Sequence, residues 1–154
     1  MTTGDRDQTS PGSPSAGSPS AGSPDVVPAL AAARLSGEDL ELVEWVAEPG
    51  PDGGAVWQAP LHVHHADDEA WYVLSGRMVF RLGPDVVEVG PGGAALARAG
   101  VAHTFGVVGD EPARYLLVMT PRVAQLVATL HDPALAAGRS AAQVFTDHAS
   151  TLLG

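Results

Sequence analysis

An all-β fold is predicted, an antiparallel sandwich or barrel with a short helical end. Three observations carry that prediction. Between Asp39 and Thr120 the chain divides into short strand-like runs rich in Val, Leu, Trp, Tyr and Phe. Clusters of Gly, Pro and Asp separate those runs at close intervals. After Thr120 the hydrophobic spacing becomes that of a helix.

Met1–Pro24 is low in complexity and carries GSPSA twice, at Gly12–Ala16 and Gly17–Ala21. Such a tract buries nothing and is expected to be a disordered tail. Asp25–Leu35 is apolar and alanine-rich, a short strand or helical turn, and Pro28 limits any helix to starting about there. DLELVEWVA, Asp39–Ala47, partly alternates and reads as a strand ending at the loop Glu48–Gly54. Ala55–Pro60 leads into PLHVHHADDEAWYVLSG, Pro60–Gly76.

WYVLS, Gly76 and RMVFRL read as a hairpin. Gly83-Pro84-Asp85 is a turn before the strand VVEV, and Gly90–Gly93 breaks the chain again. AALAR, VAHTFGVV and ARYLLVMT complete the strands. In PRVAQLVATLHD, Pro121 suits a helix start, with Val123, Leu126, Val127 and Leu130 on one face. Pro133 and Gly138 interrupt that helix, and Ser140 to Gln143 is a capping pattern for a second one running to about Ser150, with Val144 and Phe145 inward. The expected units are 1–24 tail, 25–120 β domain and 121–154 helical extension. The helices are expected to cover one end or side of the barrel.

The absence of cysteine excludes thiolate metal sites and thiol nucleophiles, so a bound metal would sit on nitrogen and oxygen. A net charge of −10 argues against nucleic acid and anionic membrane as partners. No apolar run approaches a bilayer-spanning length, and no secretory signal is visible, so a cytoplasmic protein is expected.

In a strand, residues two apart share a face, so His62 and His64 present two imidazoles side by side. A turn through Ala66-Asp67-Asp68 would bring Glu69 to the same ion. Imidazole with carboxylate suits zinc, copper, iron or nickel. His103 lies inside another strand-like run, where a buried imidazole needs partners for both nitrogens; a metal is one such partner. His65 points to the opposite face, and Asp67 and Asp68 are expected in a solvated turn, although either could replace Glu69 if the register slips. His131, His148 and Arg98 are expected at the surface. Trp71, Met78, Phe80 and Phe105 are core positions that would also line a cavity inside a barrel, and Gln58 shares strand parity with His62.

These residues together resemble the cupin family. His62, His64, Glu69 and Gly76 match the first motif, G-x5-H-x-H-x4-E-x6-G, at every spacing, with Val56 in place of its opening glycine. Gly92, Gly100 and His103 match the second, G-x5-P-x-G-x2-H-x3-N, with Arg98 and Val107 in place of its proline and asparagine. The resemblance implies a double-stranded β-helix, a jelly-roll barrel holding one metal ion on His62, His64, Glu69 and His103. It also points to the quercetin-dioxygenase-like branch, hence Fe(II) before Mn, Ni or Zn, and a small-molecule substrate. Four protein ligands on an octahedral ion leave two positions open for substrate and dioxygen. Glu69 is the candidate catalytic residue, as ligand alone or as a base. The alternatives are a non-redox isomerase, lyase or polyketide cyclase, and a non-catalytic binding protein. A homodimer is expected, because an exposed sheet edge needs cover.

Overall fold

The computed structural model describes residues 34–154; the expectations for the repeat tail and for Asp25–Ala33 lie outside the described residues. In chain order the first strands are β1 Arg34–Ser36, β2 Glu41–Ala47, β3 Val56–Trp57, β4 His62–His64 and β5 Glu69–Ser75. Then come β6 Met78–Leu82, β7 Asp85–Val89, β8 Ala94–Ala97, β9 His103–Val107 and β10 Ala113–Met119. The helices α1 Pro121–His131, α2 Pro133–Ala136 and α3 Ala141–Asp147 follow, and β11 Ser150–Leu152 ends the fold.

Two antiparallel sheets form a jelly roll. One is ordered β1-β2-β10-β5-β8, the other β11-β4-β9-β6-β7, with β3 also paired to β9. The alternation in ARYLLVM becomes the β10 pattern in which Ala113, Tyr115, Leu117 and Met119 are buried and the residues between them only partly so. The core lies between the sheets. Trp71 and Val73 meet Met78, Phe80, Phe105 and Val107 there. The Trp71 ring lies 5.3 Å from that of Phe80 and 5.1 Å from that of Phe105, tilted contacts that add about 0.5–1.5 kcal/mol each beyond area burial.

The chain around Gly76 is not a hairpin. β5 belongs to one sheet and β6 to the other, so Gly76 is a corner where the chain crosses between them. Its φ is +71°, and a Cβ there would meet the Pro112 carbonyl oxygen at 2.4 Å. A turn signal marks a change of direction but does not say with which strand the next one pairs. The hairpin in this region is β6–β7, registered Leu82 to Asp85 around Gly83-Pro84.

The end of the chain differs from expectation too. α3 stops at Asp147, Ala149 takes a left-handed φ of 53°, and β11 pairs antiparallel with β4. A three-residue strand leaves too short a pattern to be read as a period. Thr120 caps α1 by accepting from the Val123 amide, and Ser140 caps α3 by accepting from the Gln143 amide. α1 and α3 pack through Leu126, Val144 and Phe145, with Leu152 against them. Among the described residues, no helix is long and apolar enough to cross a membrane.

Candidate metal centre

β4 places His62 and His64 inward, and β9 pairs with β4 so that His103 lies directly across from His62. Glu69 is the first residue of β5, in the other sheet. The four side chains are buried, between 1% and 4% exposed. Each offers one donor atom, and the four atoms lie within 4.8 Å of one another. His62 Nε2 is 3.2 Å from His64 Nε2, and Glu69 Oε2 is 3.1 Å from His103 Nε2 and 3.5 Å from His64 Nε2.

The other ring nitrogens decide what those Nε2 atoms carry. His62 Nδ1 donates to the Pro60 carbonyl at 2.7 Å, and His103 Nδ1 to the Val101 carbonyl at 2.8 Å. His64 Nδ1 lies 2.7 Å from Ser150 Oγ, whose own proton goes to the His148 carbonyl at 3.0 Å, so His64 Nδ1 is again the donor. In the neutral rings all three Nε2 atoms therefore turn lone pairs toward one another and toward a carboxylate. Facing lone pairs repel unless a cation or a proton lies among them. Ligands about 2.0–2.2 Å from one ion sit roughly 3–3.5 Å apart at neighbouring positions, as these atoms do. The donor set fits a divalent ion of the zinc, iron, nickel or manganese type.

A cavity of about 350 Å³ opens onto His62, His64 and Glu69. Phe105, Tyr115 and Leu117 wall it from the strands; Val123, Leu126, Val127 and Leu130 of α1 and Phe145 of α3 wall it from above. Trp45 and His131 stand at its side with ring centroids 6.0 Å apart. Among the described residues, no arginine or lysine lines it. Gln58 and Phe105 are on the wall, whereas Trp71, Met78 and Phe80 are at most 1% exposed and fill the core instead. Among the described residues these side chains fill their end of the barrel, and the cavity lies at the end beneath α1 and α3.

Residues 52–119 match the cupin domain family, a span that contains all four converging residues. Among solved structures, a cupin protein from Bacteroides fragilis superposes with a TM-score of 0.50 at 16% identity, covering 62% of this chain and 81% of that one. The barrel has the cupin fold. A Thermus thermophilus protein matches at 30% identity with a TM-score of 0.49, over 58% of this chain and 83% of that one. An uncharacterized protein of Streptomyces coelicolor is 39% identical over 57 residues, 37% of this chain and 53% of that one. The chain thus spans about half the length of the curated relative it matches.

The local sequence does not show where several residues of this barrel lie. Asp67 is not solvated: it is 5% exposed, accepts from Thr120 Oγ1 at 2.8 Å and pairs with Arg122 at 3.4 Å. It ties the start of α1 to the turn before Glu69, a role set by tertiary contacts alone. Asp68 is exposed and accepts from the Ala99 amide. His65 is exposed beside Thr151, and Arg98 is exposed and away from the cavity. Ser150 lies outside the cupin match yet supports His64. Tyr115 shares inward parity with Leu117 and Met119, so the β10 alternation carried its signal.

Burial, reinforced by the neighbouring imidazoles, lowers the His62 pKa to about 4 despite the Pro60 hydrogen bond. For Glu69, burial works upward but is outweighed, once the rings carry a proton at Nε2, by hydrogen bonds from His103 and His64 and by their charge, which bring it down to about 2. Both groups bind protons more tightly in the unfolded chain, so the metal-free protein loses stability as pH falls. The His62 contribution is complete above 6.5 and lost progressively down to about 4; that of Glu69 is lost between 4.5 and about 2. The unfolding free energy of metal-free protein is expected to fall between pH 7.5 and pH 5 by roughly 2 kcal/mol from His62, read as a lower urea midpoint. A flat or rising midpoint would mean that His62 is charged in the folded state.

Proposed function

We propose that this cupin is a metal-dependent enzyme, a dioxygenase acting on a small, uncharged, aromatic or enolisable molecule. The observation that carries the reading is the junction of the two parts: three imidazoles and one carboxylate meet at one end of a largely apolar cavity. His62, His64, Glu69 and His103 would hold the ion, with Fe(II) as the leading candidate and Mn, Ni or Zn behind it. When bound, the ion supplies Lewis acidity and, if it is iron, reactivity toward dioxygen. Glu69 offsets one of its two charges. The apolar walls of α1, α3 and β9 exclude water from the reacting groups.

Tyr115 completes the site. It is 4% exposed, lines the cavity, and its hydroxyl has no protein hydrogen-bond partner among the described residues. Burial, and then the charge of Glu69, push its pKa upward, so it stays a protonated donor for a substrate oxygen. Among the described residues no arginine or lysine lines the cavity, so the charge of a phosphorylated substrate would rest on the ion and His131 alone, which favours an uncharged substrate. A second reading, non-redox isomerase, lyase or cyclase chemistry, draws support from Glu69 and Tyr115 as a carboxylate and a proton donor lining one cavity. It needs no redox change at the ion.

The test is to strip the protein, reload it anaerobically with Fe, Mn, Ni or Zn, and screen β-diketones and aromatic enols. Oxygen uptake confined to a redox-active metal is the expected result. Turnover under argon with zinc selects the second reading, and binding without product makes the protein a non-catalytic cupin. A preference for phosphorylated sugars overturns the substrate class.

A further inference from the structure

The far end of the cavity is built by residues that lie outside the cupin match. Trp45 comes from β2, and Leu130 and His131 from the last turn of α1, whereas the match spans residues 52–119. The register sets Trp45 directly opposite Tyr115, on the face whose other β2 members, Val43 and Ala47, pack into the core. An inward tryptophan is ordinarily well buried, yet Trp45 is 36% exposed, so its ring stands where the barrel opens. The same gradient runs along α1: Val123 and Leu126 are at most 2% exposed, whereas Leu130 is 39% exposed and His131 is exposed as well. Met119 pairs with Glu69 and Thr120 bonds to Asp67, so α1 begins beside the carboxylate. From Val123 to Leu130 the helix rises roughly 10 Å, which places Trp45 and His131 about two turns out from that end.

We propose that Trp45 and His131 form a distal subsite that takes a hydroxylated aromatic ring at the far end of the substrate. The assignment rests on the reading of this cavity as a small-molecule site beside an ion. Two properties select the ring and its hydroxyl. The Trp45 ring walls the cavity, is partly exposed and lies 6.0 Å from the His131 ring at 34°. A flat ring laid against that pair covers apolar surface and gains offset or edge contacts. His131 Nδ1 donates to the Val127 carbonyl at 2.8 Å, which in the neutral ring leaves Nε2 as an acceptor. Among the described residues that Nε2 has no hydrogen-bond partner. A hydroxyl on the bound ring supplies the donor. A molecule that only chelates the ion does not reach this end.

Calorimetric titration of the full, zinc-loaded chain tests this without turnover. The probes are acetylacetone, benzoylacetone and para-hydroxybenzoylacetone, which add first a ring and then a hydroxyl to one chelating end. In the wild type each addition is expected to tighten binding about 5-fold, the scale of one aromatic contact and of one hydrogen bond. Trp45→Ala is expected to cancel the gain from the ring. His131→Phe, which keeps an aromatic ring beside Trp45, is expected to cancel only the gain from the hydroxyl. Acetylacetone, too short to reach the pair, should bind all three proteins alike. In the wild type the Trp45 indole N–H signal, assigned with Trp45→Phe, should shift with para-hydroxybenzoylacetone and not with acetylacetone, a readout that no variant's folding can disturb. Aryl ligands that gain nothing over acetylacetone, gains that survive both substitutions, or an unmoved indole signal overturn the proposal. para-Phenylphenol, which cannot chelate, separates the subsite from the metal reading. If it binds with the same dependence on Trp45 and His131 while no diketone binds, the subsite stands and the role of the ion falls.

Discussion

Replacing His103 with alanine will give a folded protein that no longer retains a divalent ion through gel filtration. The loss of affinity is expected to exceed about 100-fold, more than the 10–100-fold that follows removal of a hydrogen bond behind a ligand. The reason lies in the geometry. His103 Nε2 is 3.1 Å from Glu69 Oε2, and its ring centroid is 4.3 Å from that of His62, so it closes the donor set from the side opposite the cavity. Ser150→Ala gives the graded comparison. Its hydroxyl holds His64 in the tautomer that frees Nε2, and its loss is expected to weaken metal binding within that 10–100-fold range. His65→Ala, on the opposite face, is expected to change nothing. Cobalt titration and elemental analysis measure all three. Stability separates a ligand from a core histidine. His103→Ala is expected to cost about 2–5 kcal/mol without metal, as loss of a buried side chain does, and in addition to lose the stabilisation that added metal gives the wild type. Wild-type metal affinity in His103→Ala would take that residue out of the site.

The parts of the fold that could be read in the chain are those with local causes. His62, His64 and Glu69 lie within eight residues of one another, so strand parity and a single turn bring them together. The β10 alternation and the caps at Thr120 and Ser140 are likewise properties of a few adjacent residues. What the chain did not reveal depends on distant partners. Gly76 reads as a hairpin turn, but the approach of Pro112 behind it makes it a corner between sheets. Asp67 reads as solvated because Thr120 and Arg122, which bury it, are more than fifty residues away. Ser150 has no local pattern at all; it matters because β11 returns to pair with β4, opposite His64. The assignment of Trp71, Met78 and Phe80 to the core and of Phe105 to the cavity wall shows the same limit. Parity puts all four inside the barrel, and only the placement of α1 and α3 decides which end stays hollow.

That placement makes Phe145 the most consequential side chain of the helical extension. It is 2% exposed, packs with Leu126 and Val144, and sets its ring 5.3 Å from that of His62. Phe145→Ala is expected to cost about 3–5 kcal/mol, from lost burial plus a cavity that the neighbouring helices cannot fill. For a domain of this size that lowers the melting temperature by roughly 10–20 °C. Leu135→Ala, on a side chain 51% exposed in the neighbouring α2, is expected to stay within about 0.5 kcal/mol. The contrast distinguishes two pictures of the C-terminal segment. If α1, α3 and β11 merely rest on a self-sufficient barrel, both substitutions are mild and metal affinity is untouched. If they complete it, Phe145→Ala lowers stability and metal affinity together, because the same residue walls the cavity and backs the His62 ring. Thermal unfolding with and without metal reads both quantities, and a melting temperature shifted by less than about 2 °C, a destabilisation well under 1 kcal/mol, would favour the first picture.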